Sequence, residues 1–220
     1  MTILENRPSA APPSTLPWRW VPGGFFGAIF GSDWNKILQY TINQTTGALS
    51  AMGTAWVAAG PNAYSIAVHP NGKWAYVTNY FTGAIFEYGI DTTTGALSQI
   101  GTTSVGAGQY AAYVTVDPTG KYAFVANPLT MSKAVYQFTI GTDGSLIAMT
   151  PAYVATVTAG PTGAACIQVD ATGAYAYSTS GQPGSTVTQY SIGTGGALTA
   201  LTPASVTTRH GPNKIVIVNK

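Results

Sequence analysis

Charge is what this sequence has least of. Only 7% of its 220 residues are Asp, Glu, Lys or Arg, against roughly 25% in ordinary soluble domains. That shortage argues against long, solvated amphipathic helices. Nine basic and seven acidic residues leave a net charge of +2 with no basic cluster, so the electrostatic footprint of a nucleic-acid binder is missing. One cysteine, Cys166, excludes an internal disulfide. Its setting, AACIQV, reads as a small core residue on a strand. With two His, one Cys and scattered Asp, no metal-ligand spacing exists, and no metal or other cofactor is expected. No glycine loop joins a strand to a helix in the phosphate-binding manner. No run of eighteen apolar residues is present, which excludes a helical membrane span. The first twenty residues lack the basic start and apolar stretch of a signal peptide. They read instead as a linker-like extension around APPSTLP, with the folded domain expected over 21–220. The low charge and abundant Thr suit an extracytoplasmic protein.

What is present is a repeat. Val21 to Ser50 reads VPGGFFGAIFGSDWNKILQYTINQTTGALS, and His69 to Ser98 reads HPNGKWAYVTNYFTGAIFEYGIDTTTGALS. The closing phrase returns as DGSL at Asp143 and GGAL at Gly195, so that Gly47, Gly95, Gly144 and Gly196 lie 48, 49 and 52 residues apart. Two further markers recur. One is the turn: VPGG, HPNG, DPTG and DATG. The other is the loop before each strand set: AGPN, AGQY, AGPT and HGPN. Repeats of this length are read before anything else because they decide the architecture.

Each unit holds four short runs of β-branched and aromatic residues bounded by turn chemistry. In HPNG, Pro fixes one backbone angle and Gly accepts a positive one. Four antiparallel strands per unit, repeated, predict an all-β β-propeller of four-stranded blades. Such blades stack face to face because neither face of a lone sheet can stay exposed. The material suffices for about four blades. The first unit lacks its first strand and the last is only KIVIVNK, so the C-terminal strand is expected to complete the first blade and close the ring.

The run Tyr76 to Asn79, YVTN, within GPNAYSIAVHPNGKWAYVTNYFTGAIFEYGID, resembles the YVTN repeat family. The GAL phrase points to its lactonase-like branch, similar to 6-phosphogluconolactonases of the propeller type. Such relatives have seven blades, so the chain reads as a short member, a four-blade ring, or a half that assembles. The resemblance implies that function sits on one face, on loops leading into the innermost strand and loops joining the second and third strands. Those loops carry Asn62, Tyr64, Gln109, Tyr110, Thr162, Arg209, His210 and Asn213, then Asp33, Trp34, Asn79, Tyr80 and Asn127. Trp34, Tyr64, Asn79, Tyr80, Gln109, Tyr110 and Asn127 are the expected binding residues. Aromatic rings supply stacking and amides supply paired donors and acceptors, which suits a sugar or small polar ligand. Asn79 and Asn127 also have a structural reading as bonds to nearby turn backbone.

Catalytic machinery is sparse. Arg209-His210 breaks the small-residue AG pattern found at the same place in the other units. His titrates near neutrality and Arg grips carboxylates or phosphates in bidentate fashion. With Asp33 these are the candidate catalytic residues. Glu occurs only at Glu5 and Glu87, whereas lactone chemistry in such propellers uses acidic, His and Arg residues about the channel. His69 stands where Asp117 and Asp170 stand in later turns and reads as a turn cap. Three readings stand open: a ligand-binding or interaction scaffold, with a protein partner or self-association; a hydrolase of sugar lactones; and a piece of a larger propeller.

Overall fold

The computed structural model describes residues 27–30, 35–43, 45–104, 110–128, 134–156, 163–181 and 184–218. The expected extension over 1–20 lies outside them. All regular structure among the described residues is β: fifteen strands in four antiparallel sheets. The first sheet has three strands, β1 (Gly27–Phe30), β2 (Lys36–Ile42) and β3 (Leu49–Ala58). The second runs β4 (Ala63–Val68), β5 (Trp74–Asn79), β6 (Ala84–Ile90) and β7 (Leu97–Ser104). The third runs β8 (Val114–Val116), β9 (Tyr122–Asn127), β10 (Ala134–Ile140) and β11 (Leu146–Ala155). The fourth runs β12 (Cys166–Val169), β13 (Tyr175–Thr179), β14 (Thr186–Ile192) and β15 (Leu198–Thr207). Each sheet is a meander, its strands ordered as in the chain, as expected of propeller blades.

Turn chemistry sets the blade ends. Asp117 Oδ1 accepts the Tyr122 N–H at 2.7 Å, and Asp170 Oδ1 accepts the Tyr175 N–H at 2.9 Å. In the longer hairpins Asn43 and Asp91 each accept two successive backbone N–H groups. Asn43 also opens a formal Asn-X-Thr glycosylation sequence, Asn43-Gln44-Thr45, so that acceptor position coincides with a turn residue.

The core lies between blades. Ile37, Val77, Tyr88 and Leu97 fill the first gap; Tyr76, Ile85, Val125 and Phe138 the second; Phe124, Val135, Ile167 and Tyr190 the third. A polar clamp crosses every gap. The next-to-last strand of each blade carries Gln39, Glu87, Gln137 or Gln189 at a β-bulge, and bulges re-aim side chains. Gln39 Oε1 accepts the Leu97 N–H at 2.7 Å, Glu87 Oε1 the Leu146 N–H at 3.1 Å, and Gln137 Oε1 the Leu198 N–H at 2.6 Å.

The expected ring closure is not observed. Residues 211–218 form no strand, and the first sheet keeps three strands among the described residues. The C-terminal segment stays by the fourth blade, where Gly181 N–H donates to Pro212 O at 3.0 Å. The apolar alternation of KIVIV suits an inner strand, and the segment lies beside β12, where an Ile215 backbone group hydrogen-bonds the Cys166 thiol. Val216 and Val218 are left exposed.

Candidate functional site

The described residues just ahead of or within the starts of β4, β8 and β12 converge with those that directly follow β5, β9 and β13. Between them lies a cavity of about 230 Å³ walled by Tyr64, Tyr80, Pro128, Ser180 and Asn213. Blades two, three and four and the C-terminal segment each contribute. The Thr78 hydroxyl bonds Ala112 O beneath it, tying the second blade to the third. Gly181, at φ 64°, forms part of its wall. A Cβ there would come within 3.0 Å of Ala165 Cβ, so the close approach of backbone that shapes the cavity requires glycine.

The two aromatic wall residues, Tyr64 and Tyr80, belong to a cluster of five touching rings. Tyr80 lies 4.9 Å from Tyr64, 4.9 Å from Tyr110 and 5.1 Å from Phe81, and Tyr64 meets Tyr113 at 5.4 Å. Most of these pairs are edge-on, the favoured geometry for ring quadrupoles. Phe81 is 59% exposed, so its ring presents an open apolar surface. Burial raises the Tyr64 phenol above its usual value, helped by Tyr113, Tyr80 and Cys166. Burial also raises Tyr80, with Tyr110 adding to it. The two hydroxyls thus stay neutral, as donors and acceptors, throughout the physiological range. Lys214 Nζ stands 5.6 Å from the centre of the Tyr113 ring, within cation–π range.

The expected site residues divide. Tyr64, Tyr80 and Tyr110 are brought together. Asn79 and Asn127 are fully buried beneath the loops. Asn79 Nδ2 donates to Ala59 O at 2.9 Å while its Oδ1 meets no partner. Asn127 bonds the Tyr136 hydroxyl. Arg209 and His210 are exposed on the bend after β15, four and three residues ahead of Asn213 at the cavity wall. Trp34, Asp33 and Gln109 lie outside the described residues. Three residues escaped the sequence reading. Phe81 follows the flagged Tyr80 directly. Tyr113 sits just before β8, where strand burial was expected. Ser180 occupies the position of Asn79 and Asn127, a substitution the repeat alignment could have flagged.

Cys166 is 2% exposed. Burial pushes its thiol up, against opposing hydrogen bonds from Ile215 and Ile167 and the charge of Lys214. It is a packed apolar group, not a nucleophile at neutral pH. No three His, Cys, Asp or Glu side chains come together as a metal cradle among the described residues. Likewise no helix there is long and apolar enough to cross a membrane.

The sequence profile of the family described as Lactonase, 7-bladed beta-propeller, matches residues 25–162. The chain belongs to this family. Solved structures agree on the fold of this lactonase-family propeller. A putative 6-phosphogluconolactonase from Bacteroides fragilis is similar with a TM-score of 0.71 at 18% identity, over 89% of this chain and 55% of that one. A counterpart from Bacteroides uniformis has a TM-score of 0.69 at 20% identity, over 89% and 55%. The periplasmic gluconolactonase of Pseudomonas aeruginosa has a TM-score of 0.69 at 17% identity, over 86% and 52%. The lactonase-family propeller therefore spans about half the length of the structures it resembles. No curated protein matches it.

Proposed function

We propose that this lactonase-family propeller binds a single-ring sugar or sugar lactone on its loop face. One observation carries the reading: a cavity shared by three blades and lined by no charged side chain, walled by Tyr64 and Tyr80, whose rings touch Phe81, Tyr110 and Tyr113. Its volume of about 230 Å³ falls below the roughly 300–1,000 Å³ of drug-sized sites, which suits one ring. Apolar sugar faces stack on aromatic rings, while Tyr hydroxyls, Ser180 and Asn213 offer neutral hydrogen bonds. Titration calorimetry with glucono-lactone and gluconate tests it. Saturable heat is expected, with Tyr80→Ala weakening affinity by about tenfold, the effect of roughly 1.4 kcal/mol of lost ring contact. Absence of heat with either ligand would remove the reading.

A second reading, hydrolysis of a sugar lactone, is supported by family membership and by Arg209-His210 lying just ahead of Asn213. His210 would take a proton from water as it attacks the lactone carbonyl. The ring C–O bond then breaks, the leaving oxygen recovers the proton, and a hydroxy acid results. Arg209 would hold an anionic substrate group. Acid release in a pH-stat, lost in His210→Ala, is the expected signature; equal rates with and without protein would exclude it. The low charge and the likeness to a periplasmic gluconolactonase support an extracytoplasmic location.

A further inference from the structure

The turn between the first two strands of a blade recurs in the second, third and fourth blades. It reads His69-Pro70-Asn71-Gly72, then Asp117-Pro118-Thr119-Gly120, then Asp170-Ala171-Thr172-Gly173. In each, the glycine N–H donates to the carbonyl of the turn's first residue, at 2.8, 2.9 and 3.0 Å. Each glycine has a positive φ, of 72°, 72° and 73°. A side chain is strained there, so the position requires glycine. The later two turns place Thr ahead of that glycine. The second blade places Asn, and Asn71-Gly72 is the one Asn-Gly pair in the sequence.

That pair carries chemistry of its own. Asn71 Oδ1 accepts the Lys73 N–H at 2.9 Å, which folds the amide back across the Gly72 peptide. The same bond draws charge toward Oδ1, where negative charge gathers when Cγ is attacked. Gly72 has no side chain to crowd the approach. Its N–H is engaged by His69 O, so attack waits on a brief opening of the turn. Asn71 and Gly72 are half-buried and Lys73 is exposed, so that opening stays local. The consequence reaches into the next blade. The Asn71 N–H donates to His69 Nδ1 at 3.1 Å, and His69 Nε2 donates to Gly120 O at 2.8 Å. The turn therefore positions the ring that ties the second blade to the third.

We propose that Asn71 is a modification site, converted in the folded chain to a mixture of aspartyl and isoaspartyl residues. The Gly72 nitrogen forms a bond to Asn71 Cγ. The Cγ–Nδ2 bond breaks, and Nδ2 leaves as ammonia with the proton from Gly72. Water, the only co-reactant, then opens the cyclic imide at either carbonyl. Opening at Cγ leaves an ordinary aspartyl residue at position 71. Opening at the main-chain carbonyl leaves an isoaspartyl residue, with an extra methylene in the backbone. That methylene does not fit a turn closed by the bond from Gly72 to His69. The turn opens, and His69 loses its seat against the third blade. Conversion at Asn71 thus loosens the contact between two blades.

Incubation of the full chain in mildly alkaline buffer tests this, with the same chain unfolded in guanidinium chloride beside it. Peptide mass mapping reads the loss of each amide, and labelling with an isoaspartyl methyltransferase reads the rearranged product. In the folded chain, the peptide carrying Asn71 should lose its amide ahead of every other asparagine and take up the label. Asn71→Thr should abolish both signals and keep the unaltered chain's Tm, because the other two turns carry Thr there. The converted chain is more acidic and separates by anion exchange. It should melt below the unconverted chain, and below Asn71→Asp, which adds the same charge on an ordinary backbone. Loss of the Asn71 amide only in the unfolded chain overturns the proposal, because the turn then shields it. So does earlier loss at another asparagine, or a converted fraction that melts with the unconverted chain.

Discussion

His69 illustrates how much one side chain decides. It is 6% exposed, and its ring meets the edge of Trp74 with centres 4.8 Å apart. Nδ1 accepts the Asn71 N–H at 3.1 Å, so the proton sits on Nε2 and is donated to Gly120 O at 2.8 Å. Burial holds its pKa below 6.5, although Gly120, Asn71 and Asp117 pull the other way. The unfolded chain therefore binds more protons than the folded one between the lowered value and 6.5. Stability falls as pH drops through that window and levels off beneath it. Thermal melts should show a lower Tm at pH 5 than at pH 7. His69→Asn should flatten that slope. An unchanged slope in the variant would assign it to carboxylates instead. At this scale the sequence was partly legible. Asp at the same position of other turns pointed to capping, but the reach of His69 into the next blade's turn depends on how blades stack.

Strands and their turns were the most legible elements. Asp-Pro-Thr-Gly and its variants demand tight turns for local reasons, and the runs between them alternate for a sheet with two packed faces. The bulge clamp was visible only as a pattern: ILQYTI, IFEYGI, VYQFTI and VTQYSI place Gln or Glu at the same point of each unit. Nothing local says that those side chains leave their own blade. Their worth can be measured. Gln137→Leu strands the buried Leu198 N–H and Pro151 O, and should cost about 2 kcal/mol in urea denaturation. Gln189→Leu should change stability by less than about 0.5 kcal/mol, because its Oε1 has no blade to hold. Equal losses for the two substitutions would mean that the clamp acts within a blade, not between blades.

Across the whole molecule the scarcity of charge has a direct consequence. Stability rests on apolar gaps and on hydrogen bonds that mostly join backbone groups, and added salt screens only charges. Raising sodium chloride from low to near-molar concentration should therefore alter the unfolding free energy by less than about 0.5 kcal/mol. A larger shift would reveal an ion-pair contribution that the described residues do not show. The loop face is a property of the same scale. Tyr64, Tyr80 and Tyr110 lie on different loops and meet only because successive blades turn about a common axis. Sequence position marked these three, since tyrosines in glycine-rich loops stand out. Tyr113 looked like any strand residue until β8 proved to start after it.

The sequence by itself determined the repeat, the β character, the turn positions and the number of strands per blade. Each of these follows from short-range rules about backbone angles and alternation. Tertiary structure alone decided which faces are covered, that Asn79 and Asn127 sink beneath the loops, and that KIVIV remains beside β12 instead of joining the first sheet. The physical reason is that a blade's neighbours are set by the rotation between sheets. That rotation arises from packing summed over many side chains, and no local motif encodes it.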